Sequence, residues 1–136
     1  AEAARAFVAQ CGRDLPETVR ASVAAEVLAI TESPAHAALF GADSRAEVPI
    51  TGLAGDALIS GQVDRLVVTD DYVHIVDYKT NRPAPKSAAE VPPAYRRQLS
   101  AYARVLRAIY PDRAMRTSLL WTDGARLMDV ELKEGE

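Results

Sequence analysis

The sequence predicts a mixed α/β domain, a sheet flanked by helices with elements in the order ααβββαββ, and three observations carry that expectation. Apolar residues recur with helical spacing up to Gly41, switch to the period of two expected of strands, and return to helical spacing only over residues 94–110. Two β-rich stretches follow that last helix. At 136 residues the chain fits one domain, which we divide into a helical part, 1–41, and an α/β core, 42–136.

Each element has a local cause. "EAARAFVAQC", residues 2–11, is rich in alanine and meets Gly12, a usual helix terminator. After Pro16, "ETVRASVAAEVLAIT" sets Val19, Val23, Val27 and Ile30 at helical spacing, so this face is expected to meet the core. Pro34 opens a short helical turn, "PAHAALF", closed by Gly41. Strands are expected over 45–52, 57–69 and 72–80, joined as a meander. A proline-rich loop leads to "AYRRQLSAYARVLRAIY", where Tyr95, Leu99, Tyr102, Leu106 and Ile109 recur at spacings of 4, 3, 4 and 3. Pro111 ends that helix, and strands are expected over 116–122 and 125–132.

Composition narrows the function. With 49% hydrophobic and 26% charged residues and no apolar run near the roughly 20 residues that span a bilayer, a soluble protein is expected. The single Cys11 excludes an internal disulfide and a four-cysteine zinc or iron–sulfur centre, so a reducing cytoplasm is the expected home. The chain begins Ala-Glu rather than with Met, which suggests a piece of a longer polypeptide. Net charge is −3, yet Arg82 to Arg107 holds six basic residues and one acid, whereas Gly41 to Asn81 holds seven acids and three bases. An acidic centre therefore sits beside a basic shoulder.

The stretch "GQVDRLVVTDDYVHIVDYKTNRP", residues 61–83, concentrates the acids. A two-residue turn at Asp70 and Asp71 sets Thr69 against Tyr72 and, counting back, Asp64 against Asp77 and Gln62 against Lys79, all on the face that carries Leu66 and Ile75. Directly opposed side chains stand about 4.5–5.5 Å apart, where like charges repel. A shared proton or Lys79 would relieve the repulsion in part, and a divalent cation, which takes oxygen ligands, would relieve it more fully.

"GQVDRL", "IVDYKT" and "QLSAY" together resemble motifs II, III and the Gln-x-x-x-Tyr helix of the PD-(D/E)xK nuclease superfamily, RecB branch. With "SRAEVPI" and "LLWTD" the string is similar to the C-terminal nuclease domain of AddA helicase–nuclease subunits, over residues 39–132. The resemblance implies a restriction-endonuclease-like fold and a DNA exonuclease acting in double-strand break repair. It implies Mg²⁺, or Mn²⁺ in its place, held by Asp64, Asp77 and the Tyr78 backbone carbonyl, with Lys79 serving the attacking water and Gln98 and Tyr102 flanking the site. It also implies an AddB-like partner for the parent chain. The motor would lie elsewhere, because no Walker A string occurs here.

One departure from the pattern is the upstream motif I, which has no counterpart in residues 1–40 and is expected to precede Ala1 in the parent. A nuclease-fold binding or scaffolding module without chemistry is therefore the alternative. Arg82, Lys86, Arg96 and Arg97 are the candidate phosphate contacts, since the loop after the third strand and the start of the helix adjoin Lys79. Glu47 is a weaker metal-ligand candidate, Glu26 is expected to be solvated, and Arg65 falls by parity on the opposite sheet face. His36 and His74 are expected to be ordinary satisfied histidines.

Overall fold

The computed structural model describes residues 1–132. Helices α1 (Glu2–Cys11) and α2 (Glu17–Thr31) and a 3-10 turn over Pro34–Phe40 precede strands β1 (Ser44–Ala54), β2 (Ala57–Val68) and β3 (Tyr72–Lys79). A 3-10 turn over Ala88–Glu90 and helix α3 (Pro93–Ile109) then lead to β4 (Ala114–Trp121) and β5 (Arg126–Asp129). The expected element order is borne out. β5 is shorter than expected: beyond Asp129 the ladder gives way to the Val130 amide bonding Thr117 O at 2.9 Å and the Thr117 hydroxyl donating to Val130 O.

The five strands lie in the order β1-β2-β3-β4-β5. Neighbours are antiparallel except β3 and β4, which run parallel because the chain crosses over through α3 between them. The mixed sheet follows from that single crossover. On one face α3 buries Leu99, Tyr102, Ala103 and Leu106 against Leu66, Val73, Ile75, Leu119 and Trp121. On the other face Ile30 of α2 and Leu39 of the first 3-10 turn cover Val67, Val76 and Leu120.

The helix α3 approaches the β1–β2 ribbon unusually closely. A Cβ added at Gly52 would lie 2.8 Å from Val105 Cγ1, and one at Gly61 would lie 2.6 Å from the Tyr102 hydroxyl. Both glycines are therefore required by packing rather than by backbone conformation.

α2 departs from expectation. Only Ala24 and Ile30 are buried, while Val19, Val23 and Val27 are 41%, 40% and 38% exposed. α1 buries no residue; it packs against α2. The periodic valines mark a helix, but α2 meets the sheet core through Ile30 at its C-terminal end, which leaves the valines partly exposed.

His36 is 4% exposed and its Nδ1–H donates to Ile30 O at 3.0 Å, so it is a satisfied core histidine. His74, on the β3 face away from α3, lies 2.7 Å from Ser118 Oγ, whose hydroxyl donates to Asp129 at 2.7 Å. The serine proton is thus committed to the carboxylate and Nε2–H of a neutral imidazole donates to the serine oxygen. Burial lowers the His74 pKa from 6.5, Asp129 raises it and Arg116 lowers it again. A depressed histidine pKa means that the fold prefers the neutral ring, so stability is lost as pH falls below about 6.5. His74→Gln, which retains a donor, is expected to flatten that acid slope, as read from urea midpoints at about pH 7.5 and 5.5.

Candidate active site

The site is built where the β2–β3 hairpin opens. Thr69 N bonds Tyr72 O at 2.9 Å around Asp70 and Asp71, and the ladder pairs Val68 with Val73 and continues back to Arg65 with Val76, the register expected from the turn. It stops one pair short of Asp64 and Asp77. There the Tyr78 amide donates to Asp64 Oδ2 at 2.7 Å, so a side chain takes the place of a ladder bond. That bond fixes the Asp64 carboxylate against the strand that bears Asp77 and Lys79.

Alternation along β2 also breaks at Asp64. Arg65 and Val67 face away from α3, yet Val63, two residues back from Arg65, packs in the α3-side core beside Gly61. Opposite Asp64 in β1 stands Glu47, between the pairs Ala46–Arg65 and Val48–Val63, with φ +54°. A left-handed glutamate is costly, and it marks the position where the paired strands rotate their faces. Strict alternation, which sets Gln62 against Lys79, would carry Val63 to the far face with Arg65. Instead Val63 is core, and the Gln62 amide turns to the Glu47 carboxylate.

Asp77 is 4% exposed. Its Oδ2 is buried, forms an ion pair with Lys79 Nζ and meets no other donor among the described residues. Burial pushes its carboxyl above the ordinary value near 3.8, Lys79 pulls it down, and the adjoining Asp64 pushes it up again. Lys79 also donates to Gln98 Oε1 at 3.4 Å and stands 4.1 Å from the centre of the Tyr95 ring. Its three N–H directions are thus taken by a carboxylate, an amide oxygen and a π face. Gln98 in turn donates from Nε2 to the Tyr102 hydroxyl at 3.3 Å. The structure therefore brings Asp64, Asp77, Lys79, Gln98 and Tyr102 into one connected chain. Tyr95, whose hydroxyl donates to Asn81 at 3.0 Å, completes the lysine's surroundings. Helical spacing sets Tyr95 at the edge of the core, where it packs near Trp121, and its position three residues before Gln98 is the signal that also brings it to Lys79.

A match over nearly the whole length places the chain: the family model of the PD-(D/E)XK nuclease superfamily covers residues 2–134. The chain belongs to that superfamily. No curated protein matches it by sequence. Membership of this nuclease superfamily implies a metal-dependent phosphodiester hydrolase with a nucleic acid as substrate. The donor set fits a hard divalent cation of the Mg²⁺ type: two adjoining carboxylates, one of them buried with a single cationic neighbour. Among the described residues no three His, Cys, Asp or Glu side chains gather to hold a metal.

The basic shoulder of this nuclease divides in two. Arg82 is held by Glu26 at 2.5 Å and Asp123 at 3.4 Å, which ties the loop after β3 to α2 and to the β4–β5 turn. Glu26 is accordingly an ion-pair partner rather than a solvated residue. Arg96 donates to the backbone oxygens of Glu131, at 3.3 Å, and Ala88. Lys86 and Arg97 are exposed, and neither head group forms an ion pair among the described residues. Arg65 lies on the far face as expected, 4.9 Å from the Phe40 ring centre and 3.2 Å from the Tyr78 hydroxyl. It pairs with aromatic groups rather than with an acid. Glu47 is exposed and joined to Gln62.

The raised Asp77 pKa sets a stability cost. A carboxyl raised above its unfolded value contributes stability that is present below about pH 3.8 and lost as pH rises through the folded value. Asp77→Asn is therefore expected to stabilise the metal-free protein at pH 7 by about 1 kcal/mol, with the gain vanishing near pH 4. Melting temperatures of both proteins in a chelator, measured across that range, check this.

Proposed function

We propose that this chain is the nuclease domain of an AddA/RecB-type helicase–nuclease, a Mg²⁺-dependent DNA exonuclease that cuts strands delivered by the motor during recombinational double-strand break repair. The observation that carries the reading is the connected chain Asp64–Asp77–Lys79–Gln98–Tyr102. Its residue types and order follow the string "GQVDRL … VDYKT … QLSAY". The AddA assignment rests on that string, and an AddB-like subunit is the partner it brings with it.

In this reading Asp64, Asp77 and the Tyr78 carbonyl hold the cation. When bound, Mg²⁺ polarises a phosphoryl oxygen and makes water a stronger nucleophile near neutral pH. The chain's own residues do the rest. The Tyr78 amide orients Asp64, and Lys79, held by Gln98 and Tyr95, presents an ammonium beside the reacting phosphate, where it aligns the attacking water and stabilises developing negative charge. Of the four basic candidates, Arg82 and Arg96 shape the loops that flank the site, and Lys86 and Arg97 take the phosphate contacts.

Asp77→Ala and Lys79→Ala are each expected to lower cleavage of linear DNA by at least about 100-fold in Mg²⁺. The assay is best run on the parent polypeptide that carries this domain, with a chelator control. Equal cleavage by wild type and both variants would sink the assignment and favour a scaffolding module. Arg97→Glu is expected to weaken DNA binding about tenfold at low salt and to reduce the slope of log affinity against log salt by about one.

A further inference from the structure

Gly61 stands three residues before Asp64 and touches no candidate ligand, yet its lack of a side chain is demanded by the site. An added Cβ would sit 2.6 Å from the Tyr102 hydroxyl, 2.7 Å from Cε1 and 2.9 Å from Cζ. Such approaches are shorter than nonbonded atoms tolerate, and β2 and α3 are both packed elements with little room to separate. Tyr102 is 9% exposed and fixed among core residues, so its hydroxyl has one seat, over Gly61.

The direction of the hydrogen bonds makes that seat consequential. An ammonium only donates, so Gln98 turns its carbonyl to Lys79, which leaves its NH₂ for Tyr102. A glutamine with both ends engaged has one orientation; one whose amide end is free can rotate and lose the lysine. The Lys79 ammonium is thus placed by contacts that begin at a missing methyl group on β2.

We propose that Gly61 is a positioning residue for Lys79, acting through the Tyr102 hydroxyl and the Gln98 amide. The catalytic consequence rests on the nuclease reading above, whereas the seating itself does not. Two readouts separate them. The side-chain amide ¹H–¹⁵N signal of Gln98, assigned with Gln98→Ala, reports the seating without DNA or metal. Gly61→Ala and Tyr102→Phe are each expected to move that signal toward the position of a free glutamine, and the double variant no further than Tyr102→Phe alone. In cleavage assays Gly61→Ala is expected to lower kcat about ten- to 100-fold with KM for DNA changed less than about threefold. The double variant is expected to be no slower than Tyr102→Phe. An unmoved Gln98 signal in Gly61→Ala, or losses in kcat that multiply in the double variant, would overturn the proposal. Should Gly61→Ala fail to fold, Tyr102→Phe decides it, since it keeps the ring and removes only the hydroxyl; an unmoved Gln98 signal there overturns it equally. A wild-type protein that cuts no DNA refutes the nuclease reading, and the Gln98 signals then decide the seating alone.

Discussion

Two carboxylates lie together in this fold, one of them almost wholly out of water, and the surrounding structure is arranged to tolerate that. Asp77 is flanked by core residues of β3 and covered by α3, where an ionised carboxyl loses its hydration. Lys79 offsets part of the cost, but Asp64 adds to it. Hydrophobic residues in those positions would pack at lower cost, so the acids are better understood through chemistry than through stability. A divalent cation would offset the repulsion between two adjoining carboxylates more fully than one lysine does.

The fold meets this demand by local irregularity. β2 and β3 cease to pair where Asp64 begins, and the carboxylate itself receives the amide that the ladder would have used. β1 answers with a left-handed Glu47, which lets Val48 and Val63 return to the α3 side. α3 then comes down on two glycines and places Gln98 and Tyr102 over the hairpin. Irregular backbone and close helix approach fall at the same place because both serve to hold charged groups in fixed positions.

The outer face has a different character. Arg65 lies near Phe40 and Tyr78, His74 is tied to Ser118 and Asp129, and Arg82 joins the loop after β3 to α2 through Glu26. These contacts anchor the N-terminal helices and the loop on which the site depends. The apolar stripe Val19–Val23–Val27 remains outside that packing.

Alternation of strand residues, the turn at Asp70 and Asp71 and the helical spacing from Tyr95 onward determined most of the fold from the sequence alone. They did so because period, turn chemistry and termini are local properties. The same local rules brought Asp64, Asp77 and Lys79 together, since a hairpin register is set by its turn. Only the tertiary structure decided that Gln62 turns to Glu47 while Gln98 meets Lys79, that Val63 changes face, and that Arg82 and Arg96 hold protein groups. It likewise decided that the valines of α2 stay outside. Each of these depends on where a helix or loop distant in sequence comes to lie, and on a break in alternation that strict period-two counting does not contain.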